Sequence, residues 1–263
     1  MSFTFAVTAF QESSTRRRCG ERIRACLRAA QDHPDINEIT VVDDCSEDYD
    51  ALVQILAPFS KVVLHRNDRR LKCFGNKIEA IVRSTSEWVI TCDSDNVMSR
   101  EYLDLVISRA KRPTSWYCPT FARPLFNYRS VVGTWNGRNI KDAAAQSCFC
   151  CFINTGNQTV RRDEFTTVFS PYRGRSLSSF MPDIIGLGHG YPDGVWDGND
   201  SRTFNLIWLR AGGQLDAVAG MEYEHTANDS EQGNYVICAQ DPRCGEIGQV
   251  IDKLFEEEIC PVS

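Results

Sequence analysis

The sequence predicts an α/β fold in which helices flank a mostly parallel β-sheet, and three observations support this prediction. Over roughly the first hundred residues, short apolar runs alternate with segments whose apolar residues recur every three or four positions. Acidic residues directly follow two of the apolar runs. The composition, with 42% hydrophobic and 24% charged residues, is that of a globular protein. Strands regularly separated by helices form right-handed βαβ crossovers, which build parallel sheets.

Four strands are predicted in this part of the chain, each a short run of apolar or β-branched residues. The fourth is the most apolar and ends at the triplet Asp93-Ser94-Asp95. The second ends in a similar way, at Asp43-Asp44. The strands are expected at Phe3–Thr8, Ile39–Val42, Lys61–His65 and Trp88–Cys92.

A helix is predicted after each strand, because apolar residues there recur with the period of one helix face. Pro34 and Pro58 follow the first two stripes and are expected to end those helices. The four helices are expected around Ile23–Ala30, Leu52–Leu56, Gly75–Ser86 and Leu103–Ala110.

The pattern is less regular from about residue 112, where Pro113, Pro119 and Pro124 stand among many aromatic residues. Irregular loops and mixed strands are expected there. Later elements are a helix at Ser201–Ala211, strands at Leu215–Val218 and Met221–His225, and an acidic helix at Ile247–Ile259. We predict one domain over residues 1–263, with halves at 1–111 and 112–226 and a helical tail at 227–263.

Charge and hydropathy limit the partners. The formal net charge of −6 and the pI near 5.3 argue against a nucleic-acid partner. No apolar run reaches the roughly 20 residues that a membrane-spanning helix needs. The segment Met1–Phe5 lacks the basic and apolar regions of a signal peptide. We therefore expect a soluble, cytoplasmic protein without a membrane span.

Twelve cysteines in a chain of this length do not predict a disulfide scaffold. Cys26 and Cys92 lie in predicted apolar elements, where a free thiol packs as a small hydrophobic group. Cys148, Cys150 and Cys151 form a dense cluster. Buried thiols and a zinc site both remain open for it, although no second ligand pair with zinc spacing accompanies it.

The triplet Asp93-Ser94-Asp95 predicts a divalent metal site. Two carboxylates flank a small residue at the end of a buried strand, where ligands of parallel sheets bind. Carboxylate oxygens suit Mg²⁺ or Mn²⁺ and leave coordination positions for a phosphate. The alternative is a solvated acidic turn. Neither G-x-G-x-x-G nor G-x-x-x-x-G-K-[ST] is present, which argues against a dinucleotide oxidoreductase and a P-loop NTPase.

Five segments, taken in order, resemble those of the family 2 glycosyltransferases, which have the Rossmann-like GT-A fold. Thr8–Glu12, Val41–Ser46 and Trp88–Asp95 resemble the family's P-x-Y-N-E, V-V-D-D-G-S and D-x-D segments. Asn154–Phe165 resembles its G-x-x-x-x-x-R-R-x-x-F stretch, and Gly198–Gly213 its G-E-D helix. The resemblance covers about residues 3 to 226. It implies a nucleotide-sugar-binding first half and an acceptor-side, catalytic second half.

Three positions depart from the family pattern. Thr8 stands where proline is common, Cys45 where glycine is, and Asn199 where the first acid of the E-D pair is usual. The third departure leaves Asp200 as the only carboxylate of that motif. The Q-x-x-R-W motif of processive synthases is missing, so a single transfer is implied.

The resemblance implies roles for residues of the first half. Asp44 would accept a hydrogen bond from the nucleotide base, although such an aspartate is also a common capping or turn residue. Asn76 and Lys77, expected at the start of a helix, would meet a phosphate. The remaining residues of the nucleotide-sugar site would be Thr8, Phe10, Glu12, Asp93 and Ser94.

Further roles concern metal binding and catalysis. Asp95 would ligate the metal, with Asp93 and His225 as additional ligands; a structural role for the histidine stays open. Asp200 would be the general base, and it is also expected to cap the helix that begins at Ser201. The sugar pocket would include Asn154, Gly156, Trp196 and Asn199, with core packing as the alternative for the tryptophan.

The function implied is that of a metal-dependent, inverting glycosyltransferase. It would use Mn²⁺ or Mg²⁺ and move one sugar from a nucleoside-diphosphate sugar, with uridine diphosphate favoured, to a hydroxyl acceptor on a glycan or glycoconjugate. Two alternatives remain. One is a sugar-1-phosphate nucleotidyltransferase, although the expected Gly-rich loop after the first strand is missing. The other is a catalytically silent nucleotide- or carbohydrate-binding module.

Overall fold

The computed structural model describes residues 1–10, 16–123, 126–140, 142, 157–186, 191, 193–225, 241–254 and 257. Within these ranges it confirms the α/β fold, with helices flanking one large sheet. The strands are β1 (Phe3–Ala9), β2 (Ile36–Asp43), β3 (Val62–Arg66), β4 (Trp88–Asp93), β5 (Asn96–Met98), β6 (Ser115–Arg123), β7 (Phe126–Asn127), β8 (Gly133–Trp135), β9 (Thr159–Arg161) and β10 (Gln214–His225).

The helices begin and end with ordinary local chemistry. Asp48 accepts a hydrogen bond from Ala51 N at the start of the second helix, and Ser99 caps the fourth by accepting from Tyr102 N. Among the described residues, no helix is both long and apolar enough to cross a membrane. The helices are α1 (Arg16–Asp32), α2 (Tyr49–Leu56), α3 (Lys72–Arg83), α4 (Arg100–Arg109), α5 (Arg162–Phe169), α6 (Met181–Ile185), α7 (Asp193–Asp197), α8 (Asp200–Arg210) and α9 (Pro242–Leu254).

The first four strands form the parallel half of the sheet, in the order β3-β2-β1-β4. The helices between them make the crossovers that the alternating pattern predicts. Because all four strands run in the same direction, their carboxyl ends lie along one edge of the sheet. The candidate site lies along that edge.

The second half of the sheet is mixed. Strand β9 is antiparallel to both β4 and β6, β6 and β10 are parallel, and β5 runs antiparallel to the end of β10. This last pairing places His225 opposite Asn96. The strand that follows the acidic triplet is thereby joined to a residue far along the chain.

Helices cover both faces of the sheet. Alternate residues of β1 belong to two different hydrophobic clusters: Phe5 and Val7 pack in one, and Ala6 in the other. The first cluster includes Leu27 of α1 and Leu103 of α4, and the second includes Ile78 of α3. Alternation along a strand with both faces buried is the signature of a sheet between two helical layers.

The stretch after residue 112 contains strands of mixed direction, as expected, and among them the nine-residue β6 is regular despite Pro119. One prediction for the second half was wrong, because the two predicted strands near the end are one continuous strand, β10. Pairing between β6 and β10 changes register between Val218 and Glu222, opposite Pro119, and Gly220 has φ +83°. A bulge in β10 therefore accommodates Pro119, which has no N–H to donate to the neighbouring strand. The bulge lies where a break between two strands was predicted.

Candidate active site

Three parallel strands bring the first site residues together. Thr8 of β1 pairs with Val42 of β2 on one side and with Asp93 of β4 on the other. Thr8 Oγ1 donates a hydrogen bond to Asp93 Oδ1 at 3.2 Å. The structure therefore places the end of β1 and the first carboxylate of the triplet next to each other.

Lys77 connects this edge to the second half of the chain. Its Nζ lies 2.9 Å from Asp200 Oδ2 and 3.3 Å from Asp93 Oδ1, and its side chain is 8% exposed. Burial alone would lower the pKa of Lys77, but the negative charges of Asp200 and Asp93 outweigh burial and hold that pKa well above its usual value. Two aspartates far apart in sequence therefore share one buried cation.

Asp200 is the first residue of α8, one position earlier than predicted, and Asn199 is the N-cap residue. Its Oδ1 accepts hydrogen bonds from Ser201 N at 2.6 Å and from Ser201 Oγ at 3.1 Å. Its Oδ2 accepts from Lys77 Nζ. The two carboxylate oxygens thus have different partners: Oδ1 is bound to its own helix at Ser201, and Oδ2 is bound to Lys77 of α3.

The carboxylate of Asp44 has an evident structural task. Oδ1 accepts hydrogen bonds from Leu71 N at 2.6 Å and from Asn67 Nδ2 at 3.1 Å, while Oδ2 accepts from Lys72 N at 2.7 Å. Lys72 has φ +63° and Cys45 has φ +59°, a conformation that side chains disfavour. Asp44 therefore caps the start of α3 from 28 residues away and holds two strained residues. A hydrogen bond from a nucleotide base to Asp44 could therefore use only the lone pair that Oδ2 retains.

The prediction that Asn76 and Lys77 open a helix was wrong, because α3 begins at Lys72 and places both in its second turn. Their main-chain N–H groups are consequently within the helix and unavailable to a phosphate. The side chain of Asn76 donates to Val42 O at 3.1 Å, and its Oδ1 accepts from Asn67 Nδ2 at 3.0 Å. Asn76 fixes α3 to the end of β2.

Asp95 is electrostatically linked to Asp93, His225 and Arg22. Burial raises the pKa of Asp95, the charge of Asp93 raises it further, and His225 and Arg22 oppose both effects. The antiparallel pairing of β5 and β10 places His225 opposite Asn96, the residue after Asp95. The elements that carry these predicted metal ligands therefore meet, although their positions in the sequence are far apart.

The donor set fits a divalent cation held jointly by protein and ligand. Among the described residues, no group of three or more His, Cys, Asp and Glu side chains forms a complete metal cage. Mg²⁺ and Mn²⁺ commonly take one or two carboxylates and complete their coordination with substrate phosphates and water. Asp93 and Asp95 repel each other, and Asn96 Oδ1 is a buried oxygen to which no described residue donates. A cation bound at this edge of the sheet would reduce the repulsion between the two carboxylates and would give Asn96 Oδ1 a partner.

Asn199 does not face the site, contrary to prediction. Its Nδ2 donates to Val195 O and to Cys244 O, each at 3.3 Å, and the residue is 2% exposed. Cys244 belongs to α9, so the amide joins the start of α8 to that C-terminal helix. Gly248 of α9 lies close to the same turn: a Cβ there would stand 1.8 Å from an Arg202 nitrogen.

The prediction that Trp196 stacks on a sugar was also wrong. The side chain is 1% exposed and belongs to a buried hydrophobic cluster. Tyr191 packs edge-on against its ring, with centroids 5.9 Å apart. Trp196 is a core residue that supports α7, as the alternative interpretation held.

Phe10 and Ser94 are partly exposed beside the carboxyl ends of the strands. The guanidinium of Arg70 lies 3.7 Å from the centroid of the Phe10 ring, a cation–π contact. Arg70 belongs to the loop before α3, and no sequence pattern distinguishes it from several nearby arginines. Glu12, Asn154 and Gly156 lie outside the described residues, as do Cys148, Cys150 and Cys151.

Sequence analysis also missed two buried residues that support Asp93. Asn157 Oδ1 accepts a hydrogen bond from Asp93 N at 3.0 Å. Tyr223 is hydrogen-bonded to Asn157; burial raises the pKa of Tyr223 well above its usual range, so its hydroxyl stays neutral. Asn157 lies within the resemblance segment Asn154–Phe165, which was the one available signal for it.

Cys73, in the first turn of α3, is a further neighbour of the site. Burial raises the pKa of the Cys73 thiol, and the charges of Asp200 and Asp197 raise it further. The thiol therefore remains protonated and acts as a neutral wall residue.

Comparisons with known proteins agree with this fold. Three solved structures of S. aureus TarS residues 1–349 are similar: one without a named ligand (14% identity, TM-score 0.61), one with UDP (13%, 0.62) and one with UDP-GlcNAc (15%, 0.62). All of this chain is covered, and it spans 66%, 67% and 68% of those chains and 41% of a longer TarS structure. At such identities the likeness shows the fold.

A search of curated protein sequences found no match. The model of the family described as glycosyl transferase family 2 matches residues 5–172, more than half of the chain. This match confirms the family and the class of enzyme, and the solved structures confirm the GT-A type of fold. The chain belongs to glycosyl transferase family 2.

Proposed function

We propose that this chain transfers a single sugar from a nucleoside-diphosphate sugar to a hydroxyl acceptor on a glycan or glycoconjugate, with inversion at the anomeric carbon. A uridine diphosphate sugar is the favoured donor. The observation that carries the proposal is the shared contact of Lys77 with Asp93 and Asp200. A carboxylate of the donor half and a carboxylate of the acceptor half thereby meet across one ammonium group.

The donor half would hold the nucleotide at the carboxyl ends of β1, β2 and β4. Thr8, Phe10 and Asp44 stand at the ends of the first two strands, where ligands of open α/β sheets bind. The Phe10–Arg70 pair offers an aromatic face and a cation beside this edge. UDP complexes of the TarS neighbours support uridine diphosphate as the first nucleotide to test.

Asp93 and Asp95 are the residues that would hold Mn²⁺ or Mg²⁺, with His225 nearby. The metal, when bound, would stabilise negative charge on the departing diphosphate. The pair supplies hard oxygen ligands, and its mutual repulsion favours a bound cation. Metal dependence is therefore part of the proposal.

Asp200 would act as the general base. Its carboxylate would take the proton of the acceptor hydroxyl as that oxygen forms a bond to the anomeric carbon. The bond between the anomeric carbon and the diphosphate oxygen would break on the opposite face, and the nucleoside diphosphate would leave. The position of Asp200 at the start of α8, buried and next to the donor half, supports this role.

The sugar is not defined by these contacts, since a few pocket interactions of about 1–3 kcal/mol decide donor choice. UDP-GlcNAc is a sensible first donor because one TarS structure contains it. The test is a screen of nucleotide sugars with Mn²⁺, Mg²⁺ or EDTA, with and without candidate acceptors, in which released nucleoside diphosphate is measured. Metal-dependent release from one donor is expected. Binding of a nucleoside diphosphate without turnover of any donor would favour the silent binding module.

A further inference from the structure

Lys77 is a buried ammonium group between two carboxylates of separate segments. It lies on α3, while Asp93 ends β4 and Asp200 begins α8. Lys77 and Asp200 are 123 residues apart in the chain. The ammonium group of Lys77 donates a hydrogen bond to Asp200 Oδ2 at 2.9 Å and lies within ion-pair distance of Asp93 Oδ1, at 3.3 Å.

Stability alone gives a weak reason for this arrangement. Buried ion pairs lose so much hydration that apolar groups of similar volume often stabilise a fold equally well. The surroundings of Lys77 are apolar on the other turns of its helix, where Phe74, Ile78 and Ile81 pack in a hydrophobic cluster. An apolar residue at position 77 would extend that cluster. A lysine there is better explained by what its charge does to its partners.

The contacts of Asp200 indicate what that is. Ser201 holds Oδ1 through both its N–H and its hydroxyl, so Oδ1 is committed to the helix start. Lys77 is the one partner of Oδ2 that the described residues provide. Oδ2 is therefore the oxygen with remaining acceptor capacity, and Lys77 determines where it points. A general base works only when its oxygen is within hydrogen-bond reach of the proton it removes.

We propose that Lys77 is a positioning residue for the transfer reaction. Its ammonium group orients Oδ2 of Asp200 and keeps that oxygen at a fixed distance from the carboxylate of Asp93, which lies in the donor-binding half. This inference rests on the proposed function and deepens it, because it names the link between donor and acceptor halves. It differs from a phosphate-binding role, in which Lys77 would contribute to donor affinity rather than to the chemical step.

The test compares Lys77→Met, Lys77→Arg, Asp200→Asn and the Lys77→Met/Asp200→Asn double variant. Lys61→Met is the matched control: that ammonium donates to His33 O at 2.6 Å, before β3, at the amino ends of the parallel strands. For each protein, kcat and KM are measured with the donor found in the screen, UDP affinity by calorimetry and the folded state by thermal melting.

We expect Lys77→Met to lower kcat about 100-fold, in the range that general bases contribute, while the Kd for UDP changes less than about threefold. The kcat of Lys77→Arg should be at least about tenfold higher than that of Lys77→Met. The double variant should be about as slow as Asp200→Asn, because residues that act as one unit are not additive. Lys61→Met should keep the unsubstituted kcat.

Two results in an active enzyme would overturn the inference while leaving the proposed function intact. One is a double variant whose loss equals the product of the single losses. The other is a Lys77→Met protein that keeps kcat but binds UDP much more weakly, which would make Lys77 a phosphate ligand. If the unsubstituted chain turns over no donor at all, the proposed function fails, and this inference fails with it.

Discussion

The side-chain amide of Asn199 donates to the main-chain carbonyl of Cys244 at 3.3 Å and so joins the helix that begins with Asp200 to the C-terminal helix α9. Ile247 and Ile251 of α9 are fully buried in the same hydrophobic cluster that includes Phe204 of α8. Position 199, which departs from the family pattern, is therefore used to join two helices. The remaining acid, Asp200, stands one residue further on and accepts a hydrogen bond from Lys77 of α3.

Asn199→Asp should consequently weaken the protein although it restores the acid typical of the family. A carboxylate cannot donate to Val195 O or Cys244 O and would place a negative charge against both carbonyl groups. We expect a loss of about 1–3 kcal/mol in the free energy of unfolding, measured by chemical denaturation.

Asn127→Asp is the matched control for this change, because exposed Asn127 accepts a hydrogen bond from Arg129 N through its side-chain oxygen and its side-chain amide donates to no other described residue. Its carboxylate can accept the same bond, so its stability should change by less than about 0.5 kcal/mol. An Asn199→Asp protein as stable as this control would contradict the role of the amide.

Asp44→Asn tests whether this carboxylate holds the fold. An amide offers one acceptor oxygen in place of two and would turn an NH₂ group toward Lys72 N or Leu71 N. We expect the free energy of unfolding to fall by about 2–3 kcal/mol, as charged hydrogen bonds to a buried helix start are lost. An unchanged melting temperature combined with abolished UDP affinity would contradict this prediction. It would show that Asp44 binds the nucleotide base and does not stabilise the fold.

Asp95→Asn tests the metal site. Removing one of two close carboxylates removes both a ligand and the repulsion that a cation would relieve, so Mn²⁺ affinity should fall about tenfold or more. Calorimetric titration with Mn²⁺ in the presence of UDP measures this effect. Stability without metal should be unchanged or higher, since a buried charge is lost. Equal Mn²⁺ affinity in both proteins would exclude Asp95 as a ligand.

Glu79 should make stability depend on pH in the acid range. Burial by itself would raise the pKa of Glu79, but hydrogen bonds from Arg173 and Arg83 outweigh it and hold the pKa below 4.5. A depressed folded-state pKa stabilises the protein above the unfolded pKa, and this contribution disappears as the pH falls through the folded pKa.

Glu79→Gln should therefore lower the free energy of unfolding by roughly 1–2 kcal/mol at pH 7, a figure reduced because Arg173 is half exposed. The difference from the unsubstituted protein should shrink below pH 4.5. Denaturation curves between pH 3 and 7 measure it, with Glu87→Gln as the control, since its ion pair with Arg161 is 3.9 Å long. A difference that does not change with pH would contradict this account.

The parallel half of the sheet and the acidic residues along its edge could be predicted from local sequence. Both follow from the spacing of apolar residues and from the alternation of strands and helices along the chain. The triplet Asp93-Ser94-Asp95 stands at the carboxyl end of its strand, whose last residue is Asp93. The start of α3 could not be predicted in the same way. Its cap is Asp44, 28 residues earlier, and no local pattern marks the helix as beginning at Lys72 rather than Gly75.

The parts of the site that the sequence did not reveal depend on contacts between distant segments. Lys77 and Asp200 are 123 residues apart, and Asn199 and Cys244 are 45 apart. A lysine inside a helix and an asparagine before one have many ordinary roles, so only the folded chain assigns theirs. For the same reason Trp196 could be a core residue or a sugar platform until its burial was known.

The most direct test of the account compares Asp200→Asn with the unsubstituted chain in one assay: metal-dependent release of nucleoside diphosphate from the donor identified in the screen, together with the Kd for UDP. The account predicts that kcat falls by a factor of about 10²–10⁴, as for loss of a general base, while the Kd for UDP stays within about threefold. Full turnover in Asp200→Asn would contradict the assignment of the base and the central claim that this carboxylate performs the acceptor chemistry.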